Sequence, residues 1–191
     1  MVDLTNIKDF TVDKVKSWSL FGTDEEFNAL PVTHQDQIFF LDKNASKYIY
    51  EFSARANLTT GDVWDPFAKG NFKKVEEFNE FYRNEESQAK LKKWLYNRGI
   101  AFKTWVFLLP NFNDYPILTT WKMVVKYSDV LFSSDDIMVF DQTINWCLFF
   151  FHENHLYFGT DKIDNLTEGD LMMQILNEKK KKYPNFKHPY L

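Results

Sequence analysis

The sequence predicts an α+β fold: a mostly antiparallel sheet with a C-terminal three-strand meander, covered by helices from the N-terminal half and by a C-terminal helix. Three observations carry that expectation. Short apolar runs at Asp136–Asp141, Asn145–Phe151 and Leu156–Gly159 are joined by links too short for a parallel crossover. Residues at helical spacing fill much of the first hundred positions, among them Ala45, Tyr48, Ile49 and Phe52. The 191 residues include 20 Phe, 9 Tyr and 6 Trp, enough ring area to fill the space between a sheet and its helices.

Taken in order, Thr11–Ser19 reads as a short helix with Val12, Val15 and Trp18 on one stripe. Phe21–Val32, with Gly22 and Pro31, reads as loop with one helical turn, and Gln37–Leu41 as a short strand. Asn44–Asn57 is helical in pattern, whereas Leu58–Asn71 contains Gly61, Pro66 and Gly70 and reads as irregular. Phe72, Val75, Phe78 and Phe81 recur every three residues with charges between them, which predicts an amphipathic helix. A second helix spans Asn84–Arg98, with Asn84 as its cap and Gly99 as its stop. Ile100–Leu109 has strand chemistry and is ended by Pro110. Pro116 suits a first helical position, so a helix is expected from there towards Tyr127 or Leu131. After the meander, Thr167–Lys182 completes the set as a helix whose Lys179–Lys182 end suits the helix dipole. One domain over 1–191 is expected, the alternative being a helical subdomain over 1–99.

Composition narrows the function. With 23 Lys+Arg against 27 Asp+Glu the net charge is −4, and the pI near 5.6 argues against nucleic acid as the main partner. The first ten residues carry Asp3 and Asp9 and lack a signal-peptide core, and no apolar stretch approaches the roughly 20 residues of a membrane helix. The single cysteine, Cys147, lies inside Trp146–Phe151 and reads as a buried structural thiol. A cytoplasmic location is expected, with no membrane partner.

No nucleotide-binding glycine loop, nucleophile elbow or paired-cysteine zinc motif occurs, so no cofactor is expected. His152-Glu153-Asn154-His155 is the densest set of potential metal ligands; the imidazoles are three apart in a predicted turn, unlike the four-residue helical spacing of zinc proteases. Asp135, Asp136 and Asp141, near Asp129, suit turn closure, a paired acid and base, a divalent-ion site, or a negative patch for a basic partner. Trp64, flanked by Asp62 and Asp65 in a loop, reads either as an interface anchor with a polar rim or as a ring tucked over the core.

The segment Asp136–Gly159, with its Asn-Trp-Cys, Phe-His-Glu and Tyr-Phe-Gly elements, resembles small bacterial proteins, some of them immunity proteins of contact-dependent or polymorphic toxin systems. The resemblance covers about 24 residues and transfers no functional residue. It implies an acidic cytosolic protein-binding module that neutralises a toxin by occluding its active site. The alternative expectation is a metal-dependent hydrolase using His152, Glu153 and His155 with nearby aspartates. A structural or regulatory subunit, with an exposed aromatic patch, is the third.

Overall fold

Strands that are apolar at every position, rather than at alternate ones, need cover on both faces. Trp105–Leu109, Ile137–Phe140 and Trp146–Phe151 are such strands, and in the computed structural model they form the middle of a sheet covered on both sides. The structure describes residues 2–13, 24–60, 63–67, 71–80, 84–110, 115–133, 135–163 and 179–185. In chain order the strands are β1 (Thr11–Val12), β2 (Ile38–Leu41), β3 (Thr59–Thr60), β4 (Val63–Trp64), β5 (Phe72–Phe78), β6 (Trp105–Leu109), β7 (Ile117–Thr120), β8 (Ile137–Phe140), β9 (Trp146–Phe151) and β10 (His155–Lys162). Eight of them pair antiparallel throughout in the order β1-β2-β7-β6-β8-β9-β10-β5, while β3 and β4 make a separate hairpin.

The helices are α1 (Asp24–Asn28), α2 (Val32–Gln35), α3 (Lys43–Arg55), α4 (Glu85–Tyr96), α5 (Trp121–Lys126) and α6 (Ser128–Leu131), with a 3-10 turn at Ile7–Asp9. Successive strand residues point to opposite faces, and the two apolar clusters divide accordingly. Val106, Leu108, Ile137, Val139, Leu148 and Phe150 pack with Leu91 and Leu95 of α4, Trp121 and Val124 of α5 and Leu131 of α6. Their neighbours Phe107, Leu109, Met138, Phe140, Cys147 and Phe149 pack on the other side with Ala45 and Ile49 of α3, Trp64 of the hairpin and Ile7. The fold is therefore α+β with helices on both faces of an antiparallel sheet, and β8, β9 and β10 are the expected meander. Strands from residues 1–99, namely β1, β2 and β5, occupy both margins of this sheet. Among the described residues no helix is long and apolar enough to cross a membrane.

Local chemistry explains the helix starts. The Asp42 carboxylate accepts from the Asn44 and Ala45 backbone N–H groups at 2.8 Å each, and α4 opens with a reciprocal cap between Asn84 and Ser87. The first N–H groups of α5 donate instead to the Thr104 and Phe102 carbonyls, at 2.8 and 3.0 Å. Of the C-terminal helix expected over Thr167–Lys182, only 179–182 are described, and these are helical.

Four expectations are corrected. Phe72–Phe78 is strand β5, not helix: its outer phenylalanines are buried, Lys73–Glu77 are exposed, and hydrogen bonding to β10 overrides the three-residue apolar spacing. Ile117–Thr120 is strand β7, since three of its four residues are β-branched, and the helix starts only at Trp121. Thr11 and Val12 pair with Leu41 and Phe40 as a strand, and the rest of the helix expected over Thr11–Ser19 lies almost wholly outside the described residues. The irregular stretch Leu58–Asn71 contains the β3–β4 hairpin.

Candidate functional site

The aspartates singled out in the sequence are held by the meander itself. Asp141 closes the β8–β9 turn: its Oδ1 accepts from the Thr143 N–H at 2.9 Å and hydroxyl at 2.5 Å, and its Oδ2 from the Trp146 indole N–H at 3.0 Å. The same turn holds Ile144 at φ 52, a rare conformation for a β-branched residue, with its side chain buried in the core. Asp136 ties down the end of β9, its Oδ1 lying 2.8 Å from both the His152 backbone N and ring Nδ1. Asp135 is exposed.

His155 lies across the β9–β10 turn from His152 and engages a different carboxylate, with Nδ1 2.7 Å from Glu77 Oε1 of β5. Glu153 is exposed in the turn, and Asn154 supplies the left-handed residue (φ 67) that a three-residue hairpin loop requires. The two imidazoles are thus directed to separate partners instead of a shared centre. No group of three or more His, Cys, Asp or Glu among the described residues is placed to hold a metal ion.

Trp64 is 6% exposed, stacked on Tyr50 at 5.6 Å in the cluster beneath α3, so it packs over the core and does not stand out as a surface anchor. Asp65 accepts from the Thr60 hydroxyl at 3.2 Å, across the hairpin, and Asp62 lies outside the described residues. Cys147 is fully buried, and burial pushes its thiol pKa far above the usual range, removing it as a nucleophile. Most rings are inside: among the described aromatics only Tyr96, Phe102 and Tyr183 are exposed.

A cleft forms elsewhere, where three separate segments meet. Residues 4–8 around the 3-10 turn, the start of β6 and the β8–β9 turn enclose about 410 Å³. Its walls include Ile7, Trp105, Phe107 and Leu118, while Thr5, Lys8, Lys103, Thr104, Gln142, Thr143 and the turn-closing Asp141 supply polar groups. The Lys8 ammonium sits 3.4 Å from the Trp105 ring centroid and 5.7 Å from that of Phe39. Partial burial there lowers the Lys8 pKa. Apolar walls with a few convergent polar groups, at this volume, are the usual make-up of a recognition pocket. Lys8 over the indole, with Lys103 also in the lining and the Asp141 carboxylate already taken by Thr143 and Trp146, suits an anionic group carried on an apolar or aromatic frame.

Of these cleft residues only Asp141 is singled out by the sequence, and there as part of an acidic patch. The only other local sign is Lys103-Thr104-Trp105, a cation and an indole at the entry to a strand that is otherwise wholly apolar. No family model, curated protein or solved structure matches the chain.

Proposed function

We propose that this protein is a non-catalytic protein-binding module, of the immunity type implied by the resemblance of Asp136–Gly159, and that it acts by occluding its partner. The cleft bearing Lys8, Lys103 and Trp105 carries this reading. It offers an apolar wall, the Lys8 ammonium and a second lysine, Lys103, in its lining to a carboxylate on the partner's surface. Asp136 and Asp141 are engaged in hydrogen bonds within the meander, so a basic partner would find less free carboxylate there than their spacing implies. The hydrolase alternative gains no support from His152 and His155, each of which is oriented by its own carboxylate.

The test is affinity purification of the tagged chain from its native host, run in parallel with a Lys8→Glu/Lys103→Glu variant. Both lysines are largely exposed, so the variant should lose only the Lys8–Trp105 contact, about 0.5–1 kcal/mol, and remain folded. Wild type is expected to retain a stoichiometric partner that the variant loses. Recovery of the same partner by both proteins, or of none by wild type, would overturn the proposal.

A further inference from the structure

Among the described residues β5 ends the sheet, and Lys73–Glu77 along it are all exposed, with Val75 at 47%. An edge strand presents alternate N–H and C=O groups that a further strand can take up. The residues on this edge read Phe72-Lys73-Lys74-Val75-Glu76-Glu77-Phe78, both lysines in the first half and both glutamates in the second. That order is a charge palindrome for antiparallel pairing.

Setting two copies about a two-fold axis at Val75 places Lys73 opposite the other copy's Glu77 and Lys74 opposite its Glu76. Val75 then meets Val75, while Phe72 and Phe78 stay buried in the clusters on opposite faces of their own copy. Directly opposed residues share a face, so each cross-strand pair joins opposite charges on the same side of the sheet. Sliding the copies so that the axis falls at Lys74 or at Glu76 sets like charges together, as does parallel pairing. Scattered charges would merely discourage edge pairing, whereas this arrangement discourages every register but one.

The side chains needed are available. Lys73 has no partner among the described residues, and Lys74 makes only an exposed ion pair with Asp161 at 3.2 Å. Glu76 uses Oε2 for Arg98 at 2.6 Å, and Glu77 uses Oε1 for His155 at 2.7 Å, each keeping a second oxygen. Arg98 is itself only 9% exposed and stacks on Trp94, which holds the β5 edge firmly against α4. We infer that the chain forms a two-fold homodimer through β5, with one antiparallel sheet running across both copies in the Val75-centred register.

Cysteine cross-linking of the full chain tests the register. Opposed Cα atoms in an antiparallel pair lie about 4.5–5.5 Å apart, within disulfide reach, so Val75→Cys should form a covalent dimer under mild oxidation. Lys73→Cys puts the two thiols four strand positions apart, roughly 13 Å, and should not link. Cys147 is buried and serves as an internal blank. Sedimentation provides a second measurement: wild type should show a concentration-dependent dimer, and Lys73→Glu/Lys74→Glu should weaken it by more than about tenfold through like-charge contacts. A wild type that stays monomeric at high micromolar concentration would overturn the inference. So would equal linking of both cysteine variants, or a dimer indifferent to the charge reversal.

Discussion

Gly159 lies midway along β10, between Cys147 of β9 and Val75 of β5, and replacing it by alanine is a direct test of the packing there. An added Cβ would lie 2.5 Å from Phe67 Cε1 and 2.7 Å from Phe72 Cγ. To regain an ordinary contact of 3.4 Å the Phe67 ring must retreat by about 0.9 Å. Phe72 is 6% exposed and cannot yield as far, and Phe67 is itself bracketed by Phe72 at 5.6 Å and Tyr157 at 6.1 Å between centroids. Overpacking of this kind costs about 1–3 kcal/mol. The glycine is not in the left-handed region, so alanine also restricts the unfolded chain and returns about 0.4–1 kcal/mol. The net expectation is a loss centred near 1 kcal/mol and no more than about 2.6 kcal/mol, the centre being about 2–4 °C in Tm for a chain of this length. Urea denaturation of Gly159→Ala measures the loss, and Phe67→Leu, which removes the clashing atom, completes a double-mutant cycle. Gly159→Ala should cost at least about 0.5 kcal/mol less in the Phe67→Leu background. An equal cost in both backgrounds would refute the argument.

Asp141→Ala removes three hydrogen bonds and leaves the buried Trp146 N–H without an acceptor, so it should cost about 1–3 kcal/mol in urea denaturation. Asp141→Asn keeps a side-chain carbonyl and should recover much of that; equal losses would discount the turn-closing role. His34 has its pKa lowered by burial and by Lys126 and Lys122, while its Nδ1 lies 2.7 Å from the Tyr127 hydroxyl. The folded form therefore binds the His34 proton less readily than the unfolded chain, whose value is about 6.5. Its stabilising contribution is present above that pH and is lost as pH falls towards the folded value. His34→Gln should reduce the fall in urea midpoint between pH 7.5 and pH 5.5, and an unchanged fall would count against it. Cys147 should resist a thiol-specific reagent in the native protein and react fully once unfolded; rapid native labelling would contradict its burial.

How much of this was legible depended on how locally each feature is specified. The meander was readable because its apolar runs are bounded by Asp141–Thr143 and His152–Asn154, links so short that only antiparallel return is open to them. Helix α4 was readable because its cap, Asn84, and its stop, Gly99 at φ 72, lie next to it in sequence. Strand β5 was misread because Phe72, Val75 and Phe78 satisfy helical spacing, and the hydrogen bonds that decide the matter come from β10, some eighty residues later. Trp64, flanked by aspartates, has the neighbours of a surface anchor, yet Tyr50 of α3 covers it. Of the cleft only Asp141 was legible: Lys8, Trp105 and Thr143 belong to three distant segments, and only the order of strands in the sheet brings them together.

Burial of both sheet faces limits where recognition can occur, because the strand ends and the sheet edges are what remain open. The cleft uses the first and β5 the second. From β6, which lines the cleft, to β5 there are four strand spacings, roughly 19 Å at about 4.8 Å each. A partner in the cleft and a second copy on β5 would therefore bind without competing. A two-fold axis perpendicular to the sheet keeps equivalent faces on one side, so the joined dimer would display two clefts the same way, about 40 Å apart before sheet twist is considered. Two clefts so placed raise the apparent affinity for a partner that is itself dimeric or densely arrayed, with no new contact required. Lys73→Glu/Lys74→Glu separates the two effects. It should leave solution affinity for a single partner molecule unchanged while shortening residence on a surface densely coated with that partner. Equal loss in both formats would show that β5 contacts the partner directly, and that the two sites are one.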